Sequence, residues 1–400
     1  MTSRTPNSRK PNSRKPRQRS ARGRSRVGER FEAEVGAVAH GGHCIVRLAD
    51  PQSPSESRVV FTRHALPGER VVLEITEGTE GDRFWRGDAV EILIPSPDRV
   101  VPGCPVAGPG LCGGCDFQHV RLARQRDLKA AVVHEQLLRL AGLDLPVVVE
   151  AVPGDRQGLR WRTRVRFAET PDGQRGMRAH RSSRVVPVDD CLIAIPRAVE
   201  ADPATVETVV TAHGAHEFSH AADGFWQVHP GAPRVLVETV LAMLAPQPGE
   251  RALDLYAGVG LFARFLADAV GERGRVVAVE GDLDACRHAR ENLNGSPCKT
   301  KVAHGNVAAM LTAEYDEPFD FVVLDPPREG AKRAVVEQIV DRAPRAITYV
   351  ACDPAALARD IAIFAEHRYV LRELRAFDLF PMTHHVECVA LLTKSGSDLR

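Results

Sequence analysis

Residues 253–262 read "LDLYAGVGLF". An apolar run ends at Tyr256, glycines follow at 258 and 260, and a helix-forming stretch begins at once. Strand, glycine turn, helix is the opening unit of a doubly wound α/β sheet, where glycines let the backbone close on a ligand. Downstream, "RVVAVE", "TKVAHG", "FDFVVLD" and "AITYVAC" read as further strands with helices between them. "RYVLRELRAFDL" and "HVECVALLT" follow with no helix separating them. Residues 226–400 are therefore expected to form a Rossmann-like sheet ending in an antiparallel hairpin.

What the glycine loop lacks narrows its ligand. A dinucleotide fingerprint needs a third glycine to pack the helix under a pyrophosphate, and position 263 is Ala263. The acidic Asp254 ahead of the glycines suits a cationic ligand without phosphate. Glu280, twenty residues beyond Gly260, can accept ribose hydroxyls at the end of the second strand. S-adenosylmethionine has both features. Asp325 in "LDPPREG" closes the fourth strand at the ligand-binding edge, although an Asp before two prolines also makes a good turn or cap.

The fifth strand delivers Cys352 to the same edge, in "YVACDPAALARD". Asp353 is a natural N-cap and Pro354 a natural first helical residue. A cysteine is most often a small core residue. One set just before a capped helix has its thiolate favoured by the helix dipole. A methyltransferase has use for it. Carbon 5 of uracil is a poor nucleophile until a thiolate adds at carbon 6, and a base must later remove the carbon 5 proton. "FPMTHHVEC" supplies His384, His385 and Glu387, and Glu387 enters an otherwise apolar strand, a costly place for an idle carboxylate.

The remaining segments point toward RNA. The first 26 residues hold ten Lys/Arg and no acid, so with a formal net charge of +1 the rest of the chain is net negative. Such a tail cannot fold alone and suits a polyanion. Residues 27–95 read as short strands separated by Gly, Asp and Pro turns, the pattern of a small OB-like barrel. Residues 96–225 form a middle region. A helix is expected over 121–142, closed by Gly142, then a strand with Arg160, Arg162, Arg164 and Arg166 on one face. Arg175, Arg178, Arg181 and Arg184 continue this across a turn, giving an expected phosphate-binding hairpin. Cys104, Cys112 and Cys115 lie in a Gly/Pro-rich loop and Cys191 follows the hairpin; four thiols suit either zinc or an iron–sulfur cluster. No run approaches the ~20 apolar residues that span a membrane, and the N-terminus has no apolar signal core, so a cytoplasmic protein is expected.

"FWQVHP", "DLYAGVGLF", "VLDPPREG", "YVACDPAALARD" and "FPMTHHVEC", in this order, resemble the S-adenosylmethionine-dependent RNA uracil-5-methyltransferase family over about residues 27–395. The resemblance implies a TRAM domain at 27–95. It implies Cys352 as nucleophile and Glu387 as general base. It implies Gln227, Tyr256, Glu280, Asn306 and Asp325 as cofactor-binding positions beside Gly258 and Gly260. The "CGGC" loop is similar to that of the ribosomal RNA branch, which implies a [4Fe-4S] cluster on Cys104, Cys112, Cys115 and Cys191. The expected function is 5-methylation of a uridine in ribosomal RNA or tRNA. Two rival readings are methylation of an exocyclic nitrogen, which needs no thiol, and RNA binding without catalysis.

Overall fold

The computed structural model describes residues 23–50, 53–155, 157–199 and 205–396. Most of the expected basic tail lies outside them. Residues 23–26 do not: Arg24 and Arg26 pair with Glu29 and Glu80, and Ser25 bridges Thr79. The barrel's contacts thus extend ahead of the boundary expected at residue 27, to arginines with acidic partners.

Five strands, β1 (Arg30–Ala39), β2 (His43–Asp50), β3 (Ser53–Arg63), β4 (Arg70–Glu77) and β5 (Phe84–Ile94), close a barrel in the order β1-β2-β3-β5-β4. Val46, Val60, Val71 and Leu73 point inward and are buried, as the period-2 alternation of a half-buried strand requires. The β1–β2 register shifts between Val35 and Val38, around Gly36, where a Cβ would meet the Ile45 carbonyl at 2.8 Å. Beyond this bulge the chain reverses through Gly41 and Gly42, both at positive φ. This turn matters for the site described below.

The expected helix forms as α1 (Leu122–Gln136), continues through a π turn (Leu137–Ala141) and stops at Gly142, whose φ is 67°. Leu128 and Val132 join the barrel core, whereas Val133 and Leu137 join the core of the C-terminal sheet. The helix is apolar on two sides because it is packed from two sides. Each such aliphatic side chain contributes roughly 1.5–3 kcal/mol of burial, so α1 ties the two units together.

The middle region then runs through β6 (Val149–Ala151), β7 (Arg162–Arg164), β8 (Ala168–Glu169), β9 (Arg175–Arg178), β10 (Val185–Pro187), β11 (Ala194–Val199), β12 (Thr205–Thr211) and β13 (Gly214–His220). The single long basic strand does not form. Arg160 sits at positive φ and pairs with Asp190. Arg162 donates to the Arg164 carbonyl at 2.9 Å, and Arg164 donates to the carbonyls of Ala221 and Gly224. The guanidiniums of Arg162 and Arg164 satisfy partly buried backbone acceptors, a demand that alternation in sequence cannot reveal. The basic hairpin survives in shorter form as β8-β9-β10, with Arg166, Arg178, Arg181 and Arg184 exposed along one open groove.

The C-terminal part comprises α2 (Ala232–Leu244), β14 (Arg251–Leu255), α3 (Leu261–Val270), β15 (Arg275–Glu280), α4 (Leu283–Asn292), β16 (Lys299–His304), α5 (Val307–Ala313), β17 (Phe321–Leu324), α6 (Lys332–Asp341), β18 (Ala346–Ala351), α7 (Pro354–Glu366), β19 (Tyr369–Asp378) and β20 (Glu387–Lys394). The sheet order is β16-β15-β14-β17-β18-β20-β19-β6. All pairings are parallel except those of β20, which lies antiparallel between β18 and β19. The eighth strand, β6, comes from the middle region, so the boundary expected at residue 226 does not divide the sheet. No helix among the described residues is long and apolar enough to cross a membrane.

Candidate active site

The parallel strands β14, β15, β17 and β18 end on one edge, and β20 begins there. The β18–β20 register pairs Ala351 with Cys388. One residue beyond this pair come Cys352, just past the end of β18, and Glu387, the first residue of β20, whose charge acts on the Cys352 thiol. The only antiparallel strand of the described sheet therefore brings the two expected catalytic residues together. Asp353 caps α7 as expected, accepting from Ala356 N at 2.8 Å, with Pro354 opening the helix.

Electrostatics here run against the thiolate expected from the helix end alone. Burial, then the charges of Glu387 and Asp325, push the Cys352 thiol up to about 12. Arg328 acts in the opposite direction. Glu387 is only 4% exposed, and burial, followed by the nearby Asp325 carboxylate, raises it well above the usual range. Burial likewise pushes Asp325 up to about 7. Two acids in one dry site oppose each other's ionisation.

The glycine loop is braced from below. Asp254 is fully buried; its Oδ2 accepts from Ala263 N at 2.9 Å, while Oδ1 has no partner. Burial pushes this acid up to about 8, with the charges of Asp325 and Glu280 acting in the same sense. Glu280 accepts from Gly258 N and from Asp282 N, both at 2.8 Å, and so clamps the loop to the second strand. Tyr256 has a φ of 60°, and Gly258 and Gly260 are also at positive φ. A Cβ on Gly258 would meet no atom within 4 Å, so open space lies over the loop. An unpartnered buried carboxylate oxygen, a clear backbone cradle and three acids form an acceptor-rich set. This suits a cation carrying hydroxyls, as S-adenosylmethionine does. Asn306 caps α5 through Ala309 N at 3.2 Å and is exposed at the same edge of the sheet. Gln227 is buried in the loop between β13 and α2.

Residues 378–386 carry the chain to Glu387, and the segment after the "CGGC" loop grips them. Asp116 N and Phe117 N both donate to the Met382 carbonyl, at 2.9 and 3.0 Å. Gln125 Oε1 accepts from Met382 N at 2.8 Å. Met382 has a φ of 66°, a strained position for a side chain, and these bonds hold it there. Lys129, without solvent contact, pairs with Asp378 at 2.5 Å and donates to the Phe380 carbonyl. Asp116 also accepts from His384 N. None of Asp116, Gln125 and Lys129 is marked by a motif of its own; the "CGGCD" spelling places Asp116 beside a thiol but does not reveal its partner.

A cavity of about 120 Å³ opens beside Cys352, bounded by Arg328, His384 and His385 of the catalytic edge, Lys129 of α1, and His40 and Gly42 of the barrel. An engineered apolar cavity of about 150 Å³ accepts benzene, so this space is on the scale of one pyrimidine ring.

Cys104, Cys112, Cys115 and Cys191 line a second, smaller cavity. Burial raises the first three thiols, Cys115 to about 12, and the neighbouring thiols add to the effect. Gly113 packs against His180, where a Cβ would come within 2.7 Å of its Cα. Among the described residues, no three His, Cys, Asp or Glu side chains are drawn together tightly enough to hold a single metal ion.

Comparison with known proteins follows the same division. The tRNA (Uracil-5-)-methyltransferase family profile matches residues 205–395, and the TRAM domain profile matches residues 24–90. An "Uncharacterized RNA methyltransferase" of Streptomyces avermitilis is 43% identical, covering 93% of this chain and 100% of the relative. A 23S rRNA (uracil(1939)-C(5))-methyltransferase, RlmD, of a Shewanella species is 31% identical, covering 87% of this chain and 94% of the relative. The crystal structure of Pyrococcus abyssi tRNA (uracil-54, C5)-methyltransferase with S-adenosyl-L-homocysteine shares the fold. Its TM-score is 0.65 at 20% identity, over 90% of this chain and 99% of that one.

Proposed function

The chain belongs to the RNA uracil-5-methyltransferase family, and from that premise we propose that it methylates carbon 5 of a uridine in structured RNA by covalent catalysis through Cys352 and Glu387. The observation that supports this reading is that Cys352 and Glu387 flank the last β18–β20 pair, Ala351 with Cys388, so that the Glu387 charge bears on the thiol. S-adenosylmethionine, when bound, supplies the methyl group. Glu280 and Asp325 would hold it, with the backbone of Gly258 and Gly260 and with Gln227, Tyr256 and Asn306 around it, while Asp254 braces the loop from beneath.

The Cys352 thiolate forms a bond to carbon 6, and the carbon 5–carbon 6 electron pair moves toward the carbon 4 carbonyl as an enolate. Carbon 5 thereby becomes nucleophilic. After carbon 5 is methylated, Glu387 takes its proton, the double bond re-forms and the thiolate leaves. An acid with its proton affinity raised by burial is matched to this task. Glu387 is a carboxylate when it takes that proton, and neutralising the Asp325 charge would ease thiolate formation. A positive ligand beside Asp325 would favour the same outcome, and Arg328 faces the thiol with compensating charge.

Full-length relatives called 23S rRNA methyltransferases make ribosomal RNA the first substrate to test, with tRNA the alternative. In this reading residues 27–95 and the groove along Arg166, Arg178, Arg181 and Arg184 meet the RNA backbone, residues 96–225 position it, and residues 226–400 carry out transfer. Chemistry on the ring requires the target base to leave any stack. The four thiols are proposed to hold a [4Fe-4S] cluster: they share one cavity, and a cluster spreads its ligands farther apart than a single zinc ion does. Its role would be structural.

The test is methyl transfer from labelled S-adenosylmethionine to total RNA from cells lacking the gene, followed by nucleoside analysis. The expected product is 5-methyluridine, absent with Cys352→Ala. A methylated exocyclic nitrogen, or full turnover by Cys352→Ala, would overturn the mechanism.

A further inference from the structure

The barrel touches the catalytic edge through the β1–β2 turn. His40 Nε2 lies 3.1 Å from Asp353 Oδ2, and Asp353 follows the nucleophile directly. Two residues on, Gly42 packs so closely on the loop before β20 that an added Cβ would fall 2.5 Å from His384 Cβ. Gly42 is also at positive φ. The turn therefore rests on both arms of the site, the nucleophile's helix cap through His40 and the base's loop through Gly42. Between these contacts it forms a wall of the cavity beside Cys352.

We propose that the β1–β2 turn of the barrel is the roof of the target-base pocket, with His40 a positioning residue that acts on Cys352 through Asp353. The inference rests on Cys352 being the nucleophile. It adds a function that binding RNA alone would not need. Docking of the barrel completes the pocket, so an RNA that draws the barrel away leaves the flipped ring unenclosed.

The contact is also electrostatically directed. The hydrogen bond to Asp353 raises His40 above its ordinary value, against the opposing effect of burial. The other charged groups acting on His40 are Arg359 of α7, which lowers it, and Glu135 of α1, which raises it. His40 lowers Asp353 in return. The pair is partly exposed, so its own strength is modest; its effect comes from where it holds the turn.

The experiment uses the full chain, S-adenosylmethionine and total RNA from cells lacking the gene. His40→Ala is expected to lower kcat about fivefold with little change in KM for RNA. His40→Gln, which keeps a donor for Asp353, should recover most of the loss. In an Asp353→Asn background, His40→Ala should add nothing further. Gly42→Ala, which must shift the turn, should lower kcat on the order of a hundredfold, with circular dichroism and thermal melting confirming that the barrel remains folded. Wild-type kcat in both His40→Ala and Gly42→Ala would overturn the proposal, as would His40→Gln losing as much as His40→Ala. A wild-type enzyme indifferent to Cys352→Ala would instead overturn the mechanism on which the proposal rests, so the two failures are distinct.

Discussion

His384 Nδ1 lies 2.6 Å from Asp116 Oδ2, and Asp116 directly follows Cys115 of the thiol loop. The loop that carries the proposed base is thereby tied to the loop that carries the proposed cluster. Arg63 of the barrel joins the same carboxylate at 3.4 Å. Burial alone would raise Asp116, but the His384 hydrogen bond and the charges of His384 and Arg63 bring it well below the usual range. Asp116→Ala should strand a nearly buried guanidinium and cost about 3 kcal/mol of stability, read from urea midpoints. Its kcat should fall more than its affinity for S-adenosylmethionine, because the loop before Glu387 loses its grip while the glycine loop does not.

Lys129 and Asp378 form an ion pair with no solvent contact. Removing one partner leaves a buried charge alone, so Lys129→Ala should lose roughly 3–5 kcal/mol. The double substitution Lys129→Met with Asp378→Leu should recover much of it, since a well-packed apolar pair avoids the desolvation cost. Denaturant unfolding of both variants checks this.

Blocking proton removal should trap the covalent intermediate. Glu387→Gln is expected to accumulate a protein–RNA adduct that survives denaturing electrophoresis, with product formation reduced by at least about a hundredfold. Cys352→Ala should form no adduct.

Asp254, raised to about 8, makes stability depend on pH in a direction that can be worked out. A carboxyl raised in the folded state binds more protons there than in the unfolded chain. Stability is then highest below the ordinary carboxylate range and falls as pH rises toward about 8. Thermal melts of the ligand-free protein should show a lower Tm at pH 8.5 than at pH 5.5, and Asp254→Asn should flatten that slope. The same logic predicts that Glu387→Gln lowers the pH midpoint for iodoacetamide labelling of Cys352, because a negative neighbour of the thiolate is gone.

Anaerobically purified protein should be brown, with iron and acid-labile sulfide in equal amounts, and Cys115→Ser should lose the colour. Colourless protein carrying one zinc per chain would assign the thiols to zinc instead.

Much of the site was legible along the chain because its parts are local. Asp353 caps α7 from three residues away, Gly142 ends a helix by its own backbone freedom, and Gly258 and Gly260 follow a strand in direct succession. The basic strand at 160–167 failed for the opposite reason. Alternation indicates which side chains share a face, not whether that face meets solvent or buried carbonyls, and Arg164 meets carbonyls.

The sequence by itself determined the order of strands from residue 251 onward, the cap beside Cys352, the acid that enters the last strand and the four thiols of the middle region. These depend on hydrophobic period and on contacts within a few residues. Only the tertiary structure decided that β20 slips between β18 and β19, that β6 completes the sheet, that α1 serves two cores and that His40 reaches Asp353. A period-2 pattern does not specify its neighbour. Strand partners and domain contacts are chosen by packing across long chain separations, and it is that choice which brings Glu387 to the end of β18 beside Cys352 and sets the barrel's turn against Asp353 and His384.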